Sequence, residues 1–457
     1  MKRFVLFVIV SFTPSSLIPP TLRAQAQSDS QPASAQSQQS PTAQSAPPTN
    51  PLTLQQAEAL ALRNNPQITI GKLRALEARQ YIREARSGLL PTAYLSVTGV
   101  DSEAGSRVAA GGLNNPVIFP RAAAGATVSQ LITDFGRSTN LLSSSEAQAK
   151  AEDQNAAATA ADVTLAVDRA FYNSLDTREL VKVAQQTVNA RQTLVDKIQA
   201  LTSAKLRSDL DLSFTKVDLA RANLLLLEAR NNYQASLAVL SAILGYQDEQ
   251  PFDLIESAQT QAVTPPPPDA QPLILQALQQ RPEVSSLQYQ MESAQKNASA
   301  EHDLSRPTIG ALGVVGTIPV RDPAITPNWY GAVGVNVNIP VFNGFLYNAR
   351  AKTADLQTEV ARQKLSDLRN NIARDVRVTW QDTNRAYERL SVTRQLREQA
   401  SLALDLAQTR YNLGLSSIVE FSQAELAKTE ADIADTDANY QYRLTQIVLA
   451  YTIAAPK

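Results

Sequence analysis

Cysteine is absent from the 457 residues of this chain, and histidine occurs once, at His302. The lack of cysteine excludes disulfide bonds, thiolate metal sites, a cysteine nucleophile and a lipid-bearing N-terminal cysteine. The single histidine excludes a multi-histidine metal site and leaves any histidine-dependent triad resting on one residue. His302 stands in a polar helical stretch, where a solvent-facing histidine is the simpler interpretation. We therefore expect no catalytic residue, no metal and no cofactor.

An excess of charge of one sign is also missing. The 42 Lys and Arg residues against 43 Asp and Glu residues leave a formal charge of −1. Because no basic block stands out, the sequence argues against nucleic acid as a partner. No segment beyond the N-terminus has the length and apolarity of a transmembrane helix. If the protein enters a membrane, it must therefore do so as a β-barrel.

The N-terminus has the pattern of an export signal. Met1-Lys2-Arg3 precedes an apolar run from Phe4 to Phe12, and the small-residue pattern Ala24-Gln25-Ala26 follows. This predicts a secretory signal peptide over residues 1–26. Residues 27–50 consist mainly of Gln, Ser, Ala, Pro and Thr, which predicts a disordered leader.

Two long helical patterns without Gly or Pro run over residues 137–204 and 346–413. At ~1.5 Å per residue, each predicts a rod about 100 Å long. Strand-like segments precede each rod, and a polar turn and a further helix follow it. The order repeats over residues 51–250 and 272–457, which a Pro-rich linker at 251–271 joins. A duplicated, elongated architecture of this kind favours a span or conduit.

The first rod carries apolar residues at coiled-coil spacing. Val167, Val181, Val188 and Val195 follow a seven-residue period, and Phe171 lies off that seam. Apolar residues on more than one face favour a ring of helices, with a simple antiparallel bundle as the alternative. Continuous helices predicted over 52–87 and 208–244 would together match the length of one rod.

Four strand-like segments alternate in polarity. In the last one, an apolar series alternates with Gly334, Asn336 and Asn338, as expected for a strand with one lipid-facing side. The predicted lipid-facing residues are Val333, Val335, Val337 and Ile339. The predicted aromatic girdles at the two ends are Trp329 with Tyr330, and Phe342 with Phe345. The alternative is a soluble sandwich. Four strands cannot enclose a lumen, so a membrane barrel requires several chains.

Several motifs, in the same order in both halves, resemble the TolC-like family of outer-membrane efflux proteins. The resemblance covers residues 52–454. It is carried by Asn64-Asn65-Pro66, Arg306-Pro307, the run 339–344 (Ile-Pro-Val-Phe-Asn-Gly) and the run 410–420 (Arg-Tyr-Asn-Leu-Gly-Leu-Ser-Ser-Ile-Val-Glu).

The resemblance implies a mainly α fold with a β-barrel part. Each chain of a homotrimer would give four transmembrane strands to a twelve-stranded barrel, and the long helices would form a periplasmic α-barrel. The implied location is the bacterial outer membrane with an extension into the periplasm. The implied partners are a periplasmic adaptor, an inner-membrane pump and outer-membrane lipid.

The two turns that follow the rods are the expected functional end. The resemblance places Glu420 on the aperture carboxylate of the family, with Asp211 as its repeat counterpart and Asp209 and Tyr411 beside them. Like charges held close repel one another and favour cations. The alternative is local, because Ser417 to Glu420 and Ser208 to Asp211 also have capping-box spacing.

The same turns are the expected contact with the adaptor. The predicted contact residues are Lys205, Leu206, Ser208, Leu413, Gly414, Leu415, Ser416 and Ser417. Three positions depart from the family pattern. Ser416 and Gln423 replace a basic and an acidic residue of well-known members, and Lys205 stands where the family favours glycine.

Two functions follow from these features. The first is a passive exit duct of a tripartite efflux or type I secretion system, whose partner pump supplies the energy. The second is an elongated periplasmic adaptor or scaffold that never enters the membrane. The strands distinguish the two, because an adaptor needs no lipid-facing alternation with aromatic ends. A hydrolase is the weakest alternative, since the Asp and Glu residues follow the spacing of solvated helix faces.

Overall fold

The computed structural model describes residues 50–103, 120–248, 250–256, 264–321 and 327–455. The predicted signal peptide, the predicted leader up to residue 49 and residues 257–263 of the predicted linker lie outside the described residues. The elements of the first half are β1 (Asn50–Thr53), α1 (Leu54–Asn64), α2 (Pro66–Ser87), β2 (Thr92–Val100), β3 (Arg121–Thr133), α3 (Arg137–Ser203) and α4 (Asp209–Ile243). Those of the second half are β4 (Phe252–Ile255), α5 (Gln271–Gln280), α6 (Pro282–His302), β5 (Thr308–Val320), β6 (Trp329–Asn338), α7 (Leu346–Asn412) and α8 (Ile418–Thr452).

The two halves repeat one another in element order and in helix length. Helices α3 and α7 have 67 residues each, and α4 and α8 have 35 each. At ~1.5 Å per residue, α3 and α7 are each about 100 Å long. Both long helices end within one residue of the predicted bounds. No helix among the described residues is long and apolar enough to cross a membrane.

The first helix is shorter than the sequence pattern predicts. Residues 50–53 form β1, which pairs in parallel with β4 through Leu52 and Leu254. The helix then breaks at Asn65, because Pro66 has no N–H for the helical ladder. Asn65 accepts a hydrogen bond from the backbone N–H of Gln67 at 2.9 Å, and its amide donates to the carbonyl of Ile243 at 2.8 Å. The break therefore fixes α1 against the end of α4.

Helix α3 is the centre of the packing. Near the strands, each helix packs on the next in the order α2, α3, α6, α7. Near the turns that follow the long helices, the order is α4, α3, α8, α7. The seam residue Val167 and the off-seam residue Phe171 are both buried. Burial on more than one face is what a helix with neighbours on both sides requires.

Strands β2, β3, β5 and β6 form one antiparallel sheet in that order, and β2 and β6 are its edges. Directly paired residues share a face, so the register sorts the side chains of all four strands. One face carries Ala93, Leu95, Val97, Ala126, Val128, Ala311, Val315, Val333, Val335 and Val337, with Gln130 and Thr317 as polar exceptions. The other carries Thr92, Tyr94, Ser96, Thr127, Ser129, Asn336 and Asn338, with Leu131, Leu312, Val314 and Ala332 as apolar exceptions.

Neither face of this sheet is covered by the described part of the chain. Val333 is 91% exposed and Leu95 is 80% exposed on the apolar face. Among the described residues the chain therefore forms no soluble sandwich, in which those side chains would pack on each other. That the face meets lipid remains a prediction.

The register corrects two of the predicted strand residues. Tyr330 lies opposite Gly316 and so belongs to the polar face, whereas Trp329 shares the face of Val333. On this strand only Trp329 remains a predicted lipid-girdle residue. Ile339 lies one residue past the end of β6, and Pro340, which cannot donate to a ladder, follows it. Phe342 and Phe345 are exposed and pack edge to face on each other.

Asp176 of α3 is a charge placed unfavourably against α8. Its Oδ1 atom is buried and has no hydrogen-bond partner among the described residues. Burial, with a smaller contribution from the carboxylate of Asp437, raises the pKa of Asp176 to about 6. The native state therefore holds this proton more tightly than the unfolded chain does. The resulting contribution to stability is present near pH 4 and is lost as the pH rises through about 6.

Asp176→Asn should relieve this cost. We expect the free energy of unfolding at pH 7 to rise by about 1–3 kcal/mol and its pH dependence between about 4 and 6 to flatten. Thermal unfolding of the detergent-solubilised protein at about pH 4, pH 6 and pH 7 measures both the gain in stability and its pH dependence. The exposed Asp405→Asn is the control, and equal pH profiles for the two variants would contradict the assignment.

Candidate functional site

The two turns that follow the long helices have the same backbone path. Residues 204–208 connect α3 to α4, and residues 413–417 connect α7 to α8. Lys205 and Gly414 occupy equivalent positions, with left-handed φ angles of 60° and 74°. Leu206 N donates to the carbonyl of Leu201, and Leu415 N donates to the carbonyl of Arg410, so both helices end in the same hydrogen-bonded turn.

Lys205 carries a strain that a glycine would remove. A side chain in the left-handed region costs about 1–2 kcal/mol, and the greater freedom of glycine in the unfolded chain offsets part of the gain. Lys205→Gly is therefore expected to raise the free energy of unfolding by roughly 1 kcal/mol. Gly414→Ala is the matched opposite change and should lower it by a similar amount. Denaturant midpoints measure both, and a destabilised Lys205→Gly would show that the lysine side chain makes a compensating contact.

Serine residues cap the helices that leave the turns. Ser208 Oγ accepts from Asp211 N at 3.1 Å, and Ser417 Oγ accepts from Glu420 N at 3.3 Å. The return bond from the carboxylate, which would complete a capping box, is formed at neither turn within the described chain; it is formed by Gln56 at Thr53. Asp211 and Glu420 therefore do not complete the caps with their side chains, although both lie near a helix N-terminus that favours negative charge.

Glu420 has a cationic partner across its own turn. Its Oε1 atom lies 3.3 Å from Arg410 Nε, and both side chains are about half exposed. An exposed pair of this kind is worth about 0–1 kcal/mol. Its main effect is to compensate the charge of Glu420. Arg410 stands near the end of α7, so the antiparallel hairpin brings it opposite Glu420.

Helices α3 and α4 form one hairpin, and α7 and α8 form the other. Tyr411 lies inside the interface between these two hairpins, and not on an open surface of the chain. It is 2% exposed, and its ring stacks on Phe421 at a centroid distance of 5.5 Å. Arg207 belongs to the other hairpin, and its guanidinium lies 4.5 Å from the centroid of the Tyr411 ring. Burial raises the pKa of Tyr411, the positive charge of Arg207 opposes the rise, and Asp211 adds to it. Asp211 is half-buried near this ring, whereas Asp209 is exposed.

We call the contacts that join the two turns the tip latch. Arg207 Nη2 donates to the carbonyl of Tyr411 at 3.3 Å and stacks on its ring, and Lys197 Nζ donates to Asn412 Oδ1 at 2.9 Å. An apolar cluster lies beneath these bonds and contains Leu194, Ile198, Ala407, Tyr411, Ile418 and Phe421. Sequence reasoning missed Arg207 and Lys197, because a contact between two hairpins leaves no local spacing signal.

A buried charge cluster joins the hairpins above the tip latch. Arg191 of α3 is 6% exposed and forms an ion pair with Glu425 of α8. Asp218 of α4 lies 4.0 Å from the same guanidinium nitrogen and accepts a hydrogen bond from Ser422 of α8. Burial lowers the pKa of Arg191, and Asp218 opposes that shift. Four side chains from three helices thus hold one another in place.

The ends of the turns are apolar and exposed. Leu206, Leu413 and Leu415 project from the surface, and Ser416 is half-buried. Among the residues that the structure describes, no group of His, Cys, Asp and Glu side chains could hold a metal ion. The arrangement therefore provides a charged, latched pair of hairpins with an apolar end.

The chain belongs to the outer membrane efflux protein family, which matches residues 59–246 and 273–454. Outer membrane protein TolC of Salmonella enteritidis is 22% identical over 121 residues, which are 26% of this chain and 25% of that protein. The chain thus matches about a quarter of the length of this curated relative.

Solved structures resemble the fold over much more of the chain. Structures of CusC match with a TM-score of 0.77 and 16% identity, covering 88% of this chain and 91% of that chain. A membrane protein from Pseudomonas aeruginosa matches with a TM-score of 0.76 and 18% identity, covering 88% and 92%. Identities this low show the fold alone.

These findings confirm the predicted family and the mainly helical fold with strands. Membership places the protein in the outer membrane, with an extension into the periplasm.

Proposed function

We propose that this chain forms the exit duct of a tripartite efflux or type I secretion system, as a passive homotrimeric conduit from periplasm to exterior. The observation that carries the proposal is the uncovered sheet, whose four strands sort apolar residues to one face and mostly polar residues to the other. Apolar side chains as exposed as Val333 and Leu95 need an apolar surrounding, and lipid supplies it. A water-filled passage suits the polar face.

The sheet edges support assembly from several copies. β6 runs antiparallel to β2, because the four strands alternate in direction. The β6 edge of one chain can therefore accept the β2 edge of the next and continue an antiparallel wall. Within the described residues β2 and β6 each pair on one side only, and a closed barrel removes both edges.

The helical edges support the same assembly. Helices α2 and α4 lie at one end of the packing order and α7 at the other. Both ends expose apolar side chains, such as Leu73 and Leu227 on one and Val392 and Leu396 on the other. Two different complementary edges make a heterologous interface, which closes into a ring when the rotation between copies allows it. Three copies of the four-stranded sheet would give twelve strands.

The tip latch is the proposed gate, and the exposed ends of the turns are the proposed adaptor contact. Three copies of Glu420 and Asp211 would carry negative charge to the periplasmic mouth, and partner contact at Leu206, Leu413 and Leu415 would release the hairpins. Energy would come from an inner-membrane pump, so the duct itself needs no catalytic step. The alternative, a periplasmic scaffold outside the membrane, leaves the exposed apolar face of the sheet unexplained.

Cell fractionation tests the duct against the scaffold. Heat-resistant trimers in detergent extracts of the outer membrane are the expected result. Recovery of the native chain in the soluble periplasmic fraction would contradict the duct and favour the scaffold.

Planar-bilayer recordings test the gate. Combined Asp211→Ala and Glu420→Ala should raise the single-channel conductance or lower the cation preference, because both carboxylates leave the mouth. Arg410→Gln is the opposite change, since it leaves the charge of Glu420 uncompensated, and should strengthen the cation preference. If neither variant alters conductance or selectivity, the carboxylates act only at the helix N-termini.

A further inference from the structure

Tyr330 lies at the end of the sheet that is distant from the helices, since the other end of β6 leads toward α7. Ser96, Gly125, Gly316 and Tyr330 form one row across the four strands, because each is directly paired with the next. All four positions point to the polar face of the sheet.

The ring of Tyr330 covers the two glycines of its row. A Cβ atom added to Gly125 would lie 2.1 Å from Tyr330 Oη, 3.0 Å from Tyr330 Cζ and also 3.0 Å from the carbonyl oxygen of Val315. One added to Gly316 would lie 2.4 Å from Tyr330 Cζ, and also 2.6 Å from the carbonyl oxygen of Ala124. The ring thus extends from β6 across β5 to β3 and lies flat against the sheet. With the ring in this position, neither glycine can become alanine.

Two other glycines of the same sheet have no such neighbour. A Cβ atom added to Gly313 or to Gly334 would meet nothing within 4 Å. At Gly125 the ring is therefore the nearest obstacle to a side chain, and the carbonyl oxygen of Val315 is a second, more distant one. Gly316 is less informative, because the carbonyl oxygen of Ala124 would obstruct a side chain there about as closely as the ring does.

We propose that Gly125 and Gly316 form a slot that holds the Tyr330 ring flat against the inner wall of the duct and so keeps the passage wide near its outer end. This inference rests on the proposed function, because the polar face lines a passage only if several chains close the barrel. A methyl group in the slot would lift the ring off the wall, and the aromatic side chain would then project into the passage. The position of the Tyr330 ring thus sets how wide the passage is near its outer end.

Single-channel recordings of full-length trimers in planar bilayers test the slot. Gly125→Ala should lower the conductance below that of the native chain. Gly334→Ala is the matched control, since it adds the same methyl group to the same face without touching the ring, and it should keep native conductance. Gly125→Ala combined with Tyr330→Ala should restore the conductance, because no ring remains to be displaced.

The outcomes separate the slot from the duct itself. Native conductance in Gly125→Ala trimers would overturn the slot, and so would low conductance in the double variant. If Gly125→Ala fails to assemble, the double variant decides: assembly with native conductance supports the slot, and failure of both while Gly334→Ala assembles overturns it. A native chain that forms no channel contradicts the proposed function, and the inference falls with it.

Discussion

Val335→Arg is expected to remove the assembled protein from the outer membrane. Val335 lies near the middle of β6 on the apolar face, where it is exposed in the single chain. An arginine facing lipid at the middle of a bilayer costs about 2–4 kcal/mol, and a trimer would carry three copies. Heat-resistant trimers in outer-membrane extracts, measured by electrophoresis without boiling, should fall to a small fraction of the native amount.

Asn336→Arg is the matched control for this variant. Asn336 is the next residue of the same strand and belongs to the polar face, so its arginine would meet water in the passage. We expect near-native amounts of trimer, with a changed ion selectivity. If Asn336→Arg were lost from the membrane while Val335→Arg assembled, the two faces of the sheet would be assigned the wrong way round.

Arg191→Met is expected to loosen the two hairpins from one another. It leaves Glu425, whose side chain is only 12% exposed, without a cation, and it leaves Asp218, which is 17% exposed, with only the exposed Arg221. Removal of one partner from a buried pair costs about 3–5 kcal/mol, because the remaining charge stays desolvated. The variant should unfold at lower temperature, and hydrogen exchange should rise in α8 from residue 418 to residue 430.

Two comparisons identify the unpaired charge as the cause. Arg221 also pairs with Asp218, at 3.5 Å, but is 75% exposed, so Arg221→Met should cost no more than about 1 kcal/mol. Adding Asp218→Asn and Glu425→Gln to Arg191→Met should recover much of the loss, since no buried charge remains. Equal losses for the Arg191 and Arg221 variants would contradict the assignment.

The long elements were predictable from the sequence because they depend on local rules. The bounds of α3 and α7 follow from the absence of Gly and Pro, and the alternation of Val333, Val335 and Val337 places them on one face of β6. The first helix was predicted too long. Pro66 marks its break, but β1 forms only because β4, about 200 residues later, supplies a partner.

The candidate site was predictable in position but not in contacts. Resemblance located the turns at Lys205 and Gly414, and the matching left-handed angles show that the repeat extends to the backbone. The contact of Arg207 with Tyr411 and the pairing of Arg191 with Glu425 join separate hairpins, so no sequence spacing reports them. Tyr330 was assigned to the wrong face because it directly follows Trp329, and consecutive strand residues point to opposite sides.

Electron cryo-microscopy of the protein extracted from the outer membrane is the decisive experiment for the proposed duct. We expect a threefold particle in which β6 of each chain is hydrogen-bonded to β2 of the next, with Val333, Val335 and Val337 facing detergent. A particle in which those valines are covered by protein, or in which β2 and β6 stay unpaired in a single chain, would contradict it.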